Sequence, residues 1–423
     1  MNRFKQDVYL AAGLRTPFGR GGGALAKYDA LSLSVPVVQA MAKQVEHSRP
    51  DVLLWGTVIP NLGWSNIARE IWLDAKLDPT VPAYSVVLAC STSMTAAFNA
   101  AGMIGPGIDV ALVGGSETMS RPPIGLTVAT TDRLRELIAK NPAEAIAALA
   151  QLKPTDFNLP VKGFANRITG MTMGEHMEIT AKDWNITREA QDEWAYQTHK
   201  RAAAGWDSGF FSDLVIPLPE LARDANVRAD TSLEKLASLK PVFDTKSGKG
   251  TLTAGNSTPI TDGAAGLWVA SAQGLKRLNA GPAVKLLDYE VAAVDWKRDG
   301  LLMAPAFAIP RLLDRHGLKY EDIALWEIHE AFTSQVLANL AGLENPKWIA
   351  ERVGITRDFG RFPRERVNPN GGSVAIGHPF GATGARDLSQ AVKELAALPK
   401  GSKAIVSVCA DGGHGTVALL ENS

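Results

Sequence analysis

Cys90 lies where the sequence changes from a buried-strand pattern to a helix pattern. The run AYSVVLA at residues 83–89 is rich in apolar residues, and small, helix-favouring residues continue after Cys90 to residue 101. We therefore expect a strand, a tight turn and a helix, with Cys90 at the helix N-terminus. The partial positive charge there lowers the pKa of a thiol, and the thiolate is the reactive form. Cys90 is thus a candidate nucleophile, although an inert buried cysteine would have similar surroundings.

Three more junctions carry residues that can move protons. His378 lies between Gly377 and Pro379 in a glycine-rich loop before a predicted helix, while His329 and Cys409 each follow an apolar run that ends in a turn. In parallel α/β sheets, ligands and catalytic groups collect at the carboxyl ends of strands. Each residue alone has a purely structural interpretation, but four such junctions together favour a catalytic site.

The composition is that of an ordinary globular protein. Of the 423 residues, 46% are hydrophobic and 21% charged, and 44 Lys and Arg balance 44 Asp and Glu. This balance gives no global attraction to nucleic acid or to an anionic membrane surface. Two distant cysteines form neither a disulfide framework nor the paired ligands of a zinc site, so we expect a reducing compartment and no metal. The N-terminus lacks the apolar core of a secretory signal, which predicts a cytoplasmic protein or one whose targeting peptide is not in this sequence.

Alternating strand and helix patterns surround the four junctions and favour an α/β fold, with mainly parallel strands covered on both faces. From residue 122 to 240 the alternation is lost and helical patterns dominate, including 132–140, 142–151 and 188–204. A second α/β series then repeats the plan of the first, with a helix that leads to a strand ending in glycines. We predict an N-terminal α/β domain (1–121 and 241–272), an inserted helical domain (122–240) and a C-terminal α/β domain (273–423).

The sequence around these residues resembles the thiolase family over essentially the whole chain. Together the matching motifs are highly specific, and the resemblance implies an α/β fold of two related domains with mainly parallel five-stranded sheets and an inserted helical loop domain. The motifs are RTPFG at 15–19, the Cys90 junction, GGSETMS at 114–120, TAGN at 253–256, GHP at 377–379 and the loop after Cys409.

The resemblance also implies acyl transfer with coenzyme A thioesters, with CoA as a substrate and no cofactor. A 3-oxoacyl-CoA would be cleaved by free CoA into acetyl-CoA and a shortened acyl-CoA. Cys90 would be the nucleophile that becomes acylated, and His378 would be its base. Cys409, with a pKa tuned towards neutrality, would be the acid and base for the acetyl-CoA enolate.

Both half-reactions build negative charge on a thioester oxygen, which requires preorganised donors. By resemblance, His378 and a water held by His329 serve the enolate, while backbone N–H groups of Cys90 and of the loop at Asp411 form a second oxyanion hole. The family usually has Gly or Ala at Asp411 and an uncharged residue at His414. A carboxylate there would oppose the developing anion unless it points away or is paired, for example with His414.

Coenzyme A is expected to enter over the helical domain. By resemblance Met173 packs near the pantetheine, and Ser257 and Thr258 line its path, while Pro259 replaces the usual glycine. The motif HEAF at 329–332 is similar to that of the beta subunits of fatty-acid oxidation trifunctional complexes. It implies an alpha-subunit partner with hydratase and dehydrogenase activities, in addition to a homodimer or a dimer of dimers.

Apolar faces of two predicted helices in the insert are candidate contacts for that partner. They consist of Leu134, Leu137 and Ile138 on one helix, and Ile146, Leu149 and Ala150 on the next. Either these faces pack within the insert, or they dock the second enzyme or a membrane surface.

Two other functions stay open on the sequence alone. A condensing enzyme, either acetoacetyl-CoA-forming or ketosynthase-like, would use the same nucleophile and histidines, although a ketosynthase does not need Cys409. A catalytically weak, thiolase-like assembly subunit is the other possibility, because Asp411 and His414 depart from the family pattern.

Overall fold

Apolar runs without polar alternation form the central strands, as expected where both faces of a sheet are covered. Every residue of Val110–Glu117 and of Thr261–Ser271 is buried. The computed structural model describes residues 3–158 and 165–423. Its strands are β1 (Val8–Ala11), β2 (Gly19–Arg20), β3 (Val52–Gly56), β4 (Ala83–Ser85), β5 (Val110–Glu117), β6 (Gly125–Leu126), β7 (Phe157–Asn158), β8 (Thr261–Ser271), β9 (Ala283–Ala293), β10 (Ile323–Ile328), β11 (Lys403–Ala410) and β12 (His414–Glu421).

One continuous sheet contains ten of these strands, in the order β10-β11-β12-β9-β1-β8-β5-β3-β4, with β2 paired to β8. Its two halves meet where β1 pairs antiparallel with β9. In the first half β1, β3, β4 and β5 run in one direction and β8 is reversed. In the second half β9, β10 and β11 run in one direction and β12 is reversed. The α/β fold with mainly parallel strands is therefore confirmed.

The two halves repeat one strand order. Counted along the chain within each half, and leaving out the two-residue β2, both run third-second-fourth-fifth-first across the sheet. In the second half a single parallel bridge between Trp326 and Val367 takes the place of the third strand. The chain turns away there because Asn368 has a left-handed backbone (φ 47°) and Pro369 has no N–H to donate. The first half thus has the five strands that were predicted and, in addition, the two-residue β2 paired to β8, and the second half has four strands and this bridge.

Helices cover the outer faces and fill the space between the halves. They are α1 (Ala30–Ala42), α2 (Ile67–Asp74), α3 (Thr92–Met103), α4 (Val128–Lys140), α5 (Pro142–Leu149), α6 (Met173–Asp183), α7 (Arg188–Asp207), α8 (Leu233–Ala237), α9 (Ala272–Leu275), α10 (Trp296–Asp299), α11 (Ala304–His316), α12 (Thr333–Leu343), α13 (Pro346–Trp348), α14 (Ser373–Ile376) and α15 (Thr383–Ala396).

The helices α3 and α15 form the central layer of the molecule. They contact each other, α3 packs on strands of the first half, and α15 contacts strands of both halves. The largest apolar cluster fills this layer and includes Phe98 of α3 and Leu388 of α15. The helices α1 and α2 cover the outside of the first half around Trp72, and α11 covers the outside of the second half around Leu312. This layering brings the N-termini of α3 and α15 together.

Side-chain hydrogen bonds move two helix starts away from the expected positions. The helical pattern after β10 extends back to Glu330, but the helix begins at Thr333, because the buried Glu330 carboxylate accepts hydrogen bonds from Trp194, Thr198 and Asn368 at 2.7–3.0 Å. The first insert helix begins at Val128 rather than at residue 132, because the Thr127 hydroxyl caps it by accepting the N–H of Thr130.

The apolar faces of the insert are largely exposed. Leu134 is buried, but Ile138, Ile146 and Leu149 are 57%, 70% and 50% exposed. The interpretation that both faces pack within the insert is therefore wrong for most of their surface. Within residues 3–158 and 165–423, no helix is long and apolar enough to cross a membrane. The boundaries of the three domains stay a prediction.

Candidate active site

The turn that holds Cys90 is strained and braced. The strand β4 ends at residue 85, and Ala89 has a left-handed backbone (φ 43°), which costs about 1 kcal/mol in a residue with a Cβ. The Thr92 hydroxyl accepts the N–H of Leu88 at 2.9 Å and donates to the Ala89 carbonyl at 2.7 Å. The predicted strand, turn and helix are confirmed, although the strand is shorter than expected. The turn presents a partly exposed Cys90 just before α3.

His378 faces Cys90 from the corresponding junction of the second half. Its Nε2 atom lies 3.2 Å from Cys90 Sγ, and its Nδ1 atom lies 2.6 Å from Thr383 Oγ1. The preceding Gly377 has φ 118°, and a Cβ there would come within 2.8 Å of the Thr261 side chain. Only glycine allows this approach without strain, so the GHP motif serves to hold the imidazole against the thiol.

Cys409 and His329 complete the predicted set. Cys409 is buried near the end of β11 and lines the same pocket as Cys90 and His378. His329 follows β10, and the centre of its ring lies 4.2 Å from that of His378. Its Nδ1 atom is 2.8 Å from Ser373 Oγ. Its Nε2 atom is buried and has no hydrogen-bond partner among the described residues. The structure thus brings all four predicted catalytic residues together.

The protonation states differ from those expected from sequence. Burial raises the pKa of Cys90 to about 12, and the Asp411 carboxylate adds to the rise, although the Asp411 backbone N–H opposes it by hydrogen bonding. Burial also raises the pKa of Cys409 well above its ordinary value. Burial, with a smaller effect of Arg386, lowers the pKa of His378 to about 3. The expectations of a lowered pKa for Cys90 and a near-neutral one for Cys409 are wrong, since loss of solvation outweighs the helix N-terminus.

Asp411 lines the pocket and is paired, but not with His414. Its Oδ1 atom accepts the side-chain N–H of Asn166 at 2.7 Å and the backbone N–H of Gly412 at 2.6 Å. His414 begins β12 and is held by its register opposite Ala410. The expected His414 pairing is therefore wrong, and the insert supplies the partner instead.

The pocket over these residues has a volume of about 550 Å³. Of the residues expected along the coenzyme A path, Met173 and Thr258 line it, as does Pro259. Ser257 lies outside the lining: its hydroxyl is buried and has no hydrogen-bond partner among the described residues. Most of the remaining wall is apolar. It includes Val58, Ile59, Pro60, Met119, Pro123, Phe243, Ile260, Leu302, Ala331, Phe332 and Phe380.

Sequence reasoning missed Glu117, which lies at the end of β5. The carboxylate accepts hydrogen bonds from the Thr57 hydroxyl at 2.8 Å, from two backbone N–H groups of the loop after β3, and from Gly381 N–H at 3.3 Å. It therefore ties the first half to the loop that carries His378. Burial raises the pKa of Glu117 to about 7. A carboxylate at the end of a buried-strand pattern was the available signal.

A thiol and an imidazole are in contact where the two repeated α/β halves meet, an arrangement that suits nucleophilic acyl transfer. Residues 8–273 match the family description "Thiolase, N-terminal domain", and residues 280–422 match "Thiolase, C-terminal domain". The chain therefore belongs to the thiolase family of acyltransferases.

The chain is similar to named enzymes and solved structures of this family. A 3-ketoacyl-CoA thiolase of Pectobacterium carotovorum is 37% identical, over 98% of this chain and 96% of its own length. A 3-ketoacyl-CoA thiolase of Erwinia tasmaniensis is also 37% identical, over 100% and 98%. Among solved structures, the acetyl-CoA acetyltransferase of Bacillus anthracis has a TM-score of 0.81 and 32% identity, over 98% of both chains. A thiolase of Ascaris suum in complex with coenzyme A has a TM-score of 0.78 and 29% identity, over 98% of this chain and 100% of its own.

Proposed function

We propose that this enzyme cleaves 3-oxoacyl-CoA with free CoA, through an acyl group carried on Cys90. The observation that supports this most directly is the 3.2 Å contact between Cys90 Sγ and His378 Nε2, on the wall of a pocket that also contains Cys409. A nucleophile with its base and a second acid in one pocket is what carbon–carbon cleavage next to a thioester requires.

In the first step the Cys90 sulfur attacks the C3 carbonyl of the substrate, and its proton passes to His378. The raised pKa of the thiol and the lowered pKa of the imidazole mean that both groups are neutral at rest. The proton therefore leaves Cys90 as its sulfur attacks the carbonyl, and no thiolate has to form beforehand. Backbone N–H groups at Cys90 and Asp411 are the proposed donors to the resulting alkoxide.

In the second step the C2–C3 bond breaks, which leaves an acyl group on Cys90 and the enolate of acetyl-CoA. Cys409 gives its proton to the enolate carbon and becomes a thiolate. Burial raises the pKa of this thiol, which makes it a weaker acid than a free cysteine but a stronger base once it has lost its proton, as the next step requires. His329, and His378 with the proton that it took from Cys90 in the first step, are the proposed donors on the side of the enolate oxygen.

In the last step free CoA enters and gives its thiol proton to the Cys409 thiolate. The CoA sulfur attacks the acyl group, and the departing Cys90 sulfur takes back the proton held by His378. Each residue thus returns to its starting state. Met173 and Thr258 are the proposed contacts of the pantetheine, and the apolar wall suits an acyl chain.

A thiolysis assay with free CoA and 3-oxoacyl-CoA substrates of increasing chain length tests this function. We expect acetyl-CoA and a shortened acyl-CoA from the wild type, and no product from Cys90→Ala. Activity confined to acetoacetyl-CoA, with net condensation of acetyl-CoA, would instead support the biosynthetic alternative. A folded protein with neither activity would support the assembly-subunit alternative.

We also propose that the protein forms a homodimer through β4. This strand is at the end of the sheet, and its outer edge has no strand partner within the described residues. Nearby, Val87 is 60% exposed and Tyr84 is 38% exposed. Exposed edge strands with apolar side chains are templates for pairing with another chain. Light scattering should show a dimer for the wild type and a monomer for Val87→Lys, with Leu73→Glu on α2 as a control that stays dimeric.

A heteromeric partner with hydratase and dehydrogenase activities is a further proposal, supported by the exposed Ile146 and Leu149 on α5. Deleting residues 131–151 should preserve thiolysis and abolish co-purification of those activities. The milder variant Ile146→Glu with Leu149→Glu should do the same, while Leu73→Glu should not. Loss of folding on deletion, together with normal co-purification of the double variant, would contradict the proposal. Binding of the intact protein to lipid vesicles alone would favour a membrane surface instead.

A further inference from the structure

His329 and His378 lie side by side, with ring centres 4.2 Å apart, but their nitrogen atoms have different partners. Both rings are buried and neutral, since burial lowers the pKa of each imidazole and the nearby Arg386 charge lowers both further. A neutral imidazole has one N–H and one bare nitrogen, and a hydrogen bond at one nitrogen decides the role of the other. Two hydroxyl groups next to the rings therefore determine what each ring can do.

The Thr383 hydroxyl contacts His378 Nδ1 at 2.6 Å and the Pro379 carbonyl at 3.0 Å. A carbonyl oxygen only accepts, so the single hydroxyl proton of Thr383 points to Pro379. The oxygen of Thr383 then accepts from His378, which puts the imidazole proton on Nδ1. His378 Nε2 is left bare, and it is this atom that faces Cys90 Sγ at 3.2 Å. The arrangement prepares His378 to accept a proton.

The second neighbour of the Ser373 hydroxyl is a hydrogen-bond donor, whereas that of the Thr383 hydroxyl is an acceptor. It contacts His329 Nδ1 at 2.8 Å and Nη2 of Arg386 at 2.6 Å. A guanidinium only donates, so the Ser373 oxygen accepts from Arg386 and its proton is free to point to His329. His329 Nδ1 then accepts, and the imidazole proton is on Nε2. That nitrogen is the buried one without a partner in the described part of the chain.

We propose that Ser373 and Arg386 are positioning residues that hold His329 as the Nε2–H tautomer, opposite to the tautomer of His378. The two adjacent rings then offer different groups to the site: a bare nitrogen to the thiol, and an N–H to an oxygen. An enolate oxygen, or a water bound to it, is stabilised by an N–H and repelled by a bare nitrogen. This inference deepens the proposed function and rests on it for the identity of that oxygen.

The guanidinium of Arg386 is itself fixed. It is 2% exposed, its Nη2 atom lies 2.5 Å from Asp387 Oδ1 as an ion pair without a hydrogen bond, and it contacts Gln390 at 3.4 Å. Arg386 therefore cannot turn away from Ser373 without leaving a buried charge unpaired, which is strongly unfavourable. Its fixed N–H groups make the direction of the Ser373 proton a property of the fold rather than of the substrate.

Nitrogen NMR of the histidine side chains tests the tautomer directly, without turnover. Protein labelled with ¹⁵N-histidine is compared with His329→Gln and His378→Gln to assign the two rings. We expect an N–H signal for Nε2 of His329 and for Nδ1 of His378. Ser373→Ala should convert His329 to a mixture of tautomers, while Ser373→Thr should restore the wild-type signal. Thr383→Val is the matched control and should perturb His378 alone.

Half-reaction rates add a functional readout. Removing an oxyanion donor costs about 10²–10³ in rate, so a partial loss of the Nε2–H form in Ser373→Ala should slow proton exchange at the methyl group of acetyl-CoA at least about tenfold. Acylation of Cys90 should fall by less than about twofold, because His378 is unchanged. Thr383→Val should show the reverse pattern.

An Nδ1–H signal for His329 in the wild type, or an unchanged signal in Ser373→Ala, would overturn the proposal. Equal loss of both half-reactions in a folded Ser373→Ala would also overturn it. If the tautomers are as expected but the wild type does not cleave 3-oxoacyl-CoA, the proposed function fails and the tautomer assignment stands.

Discussion

The two halves of the sheet have the same strand order, and each places a reactive residue before its inner helix. Cys90 precedes α3 and His378 precedes α15. In both, the preceding residue has a positive φ, 43° at Ala89 in the first half and 118° at Gly377 in the second. The sharp turn therefore belongs to the shared scaffold, and the chemical difference lies in the side chain that the turn presents.

The ends of the other strands show how the halves differ. In the first half, Thr57 after β3 and Glu117 at the end of β5 hydrogen-bond to each other at 2.8 Å. In the second half, the corresponding positions carry His329 after β10 and Cys409 near the end of β11; Cys409 lines the pocket and His329 lies against the ring of His378. The first half thus supplies the nucleophile and a pair of polar side chains that are hydrogen-bonded to each other. The second half supplies all the proposed proton-transfer groups. Catalysis then depends on how the two halves sit against each other.

Removing either cysteine should have the largest effect, but at different steps. Cys90→Ala should abolish acylation and turnover. Cys409→Ser should leave acylation of Cys90 largely intact and abolish turnover, because a hydroxyl is too weak an acid for the enolate. Rapid-quench mass spectrometry of the labelled peptides measures both steps. Label on Cys409 alone, or equal loss of both steps in Cys409→Ser, would contradict this division between the halves.

Changes at His378 should cost less than loss of the nucleophile. His378→Ala removes the base and should slow acylation by about 10²–10⁴-fold, the usual contribution of general-base catalysis. Thr383→Val keeps the ring but removes the hydroxyl that orients it, and should cost about tenfold. Single-turnover acylation rates check both values. If Thr383→Val acylates as slowly as His378→Ala, the substitution has displaced the imidazole from Cys90 and has not merely removed the hydrogen bond that orients it.

The reactivity of Cys90 should depend on pH and on Asp411. With a pKa of about 12, the thiolate fraction and the rate of alkylation by iodoacetamide should rise about tenfold per pH unit from pH 7 to 10. Asp411→Asn removes the second cause of the raised pKa, so alkylation at pH 8 should become faster, by about tenfold for one pKa unit. Asn166→Ala, which leaves the carboxylate in place, is the control. A plateau below pH 9 would contradict the raised pKa.

The smallest expected effects concern the contact between α3 and α15. A Cβ at Gly384 would lie 2.5 Å from the backbone nitrogen of Met94, so Gly384→Ala should push the helices apart and destabilise the fold by about 1–3 kcal/mol. Gly102, exposed in α3, has free space around it, and Gly102→Ala should stabilise by about 0.5–1 kcal/mol. Chemical denaturation measures both. Equal effects of the two changes would contradict close packing of the helices.

The sequence predicted the parts of the site that depend on local pattern and family motif. The junctions at Cys90 and His378, and the convergence of Cys409 and His329, follow from strand and helix patterns that the chain repeats. The pKa values did not follow, because burial of a thiol is set by residues far away in sequence. For the same reason the sequence suggested only the nearby His414 as an example of a partner for Asp411, whereas its partner Asn166 is 245 positions away.

The residues that orient the two histidine rings could not be predicted from the sequence either. Ser373 and Arg386 lie on either side of the glycine-rich loop around His378, but hydrogen-bond direction depends on which neighbour can only donate or only accept. The exposed face of α5 was also not predictable, since an amphipathic pattern does not say whether a second layer covers it.

The pairing of β1 with β8 and β9 has a consequence for how the chain reaches its folded state. Val8 pairs with Ser271, and Tyr9 pairs with Lys285, so the strand at the centre of the sheet meets both neighbours across more than 260 positions. At a synthesis rate of roughly 5–20 residues per second, roughly 10–50 s pass between the synthesis of β1 and that of its first partner, β8. Such distant pairing slows folding and exposes unpaired strand edges meanwhile. Newly made chains should therefore depend on chaperones more than the stability of the finished protein would suggest.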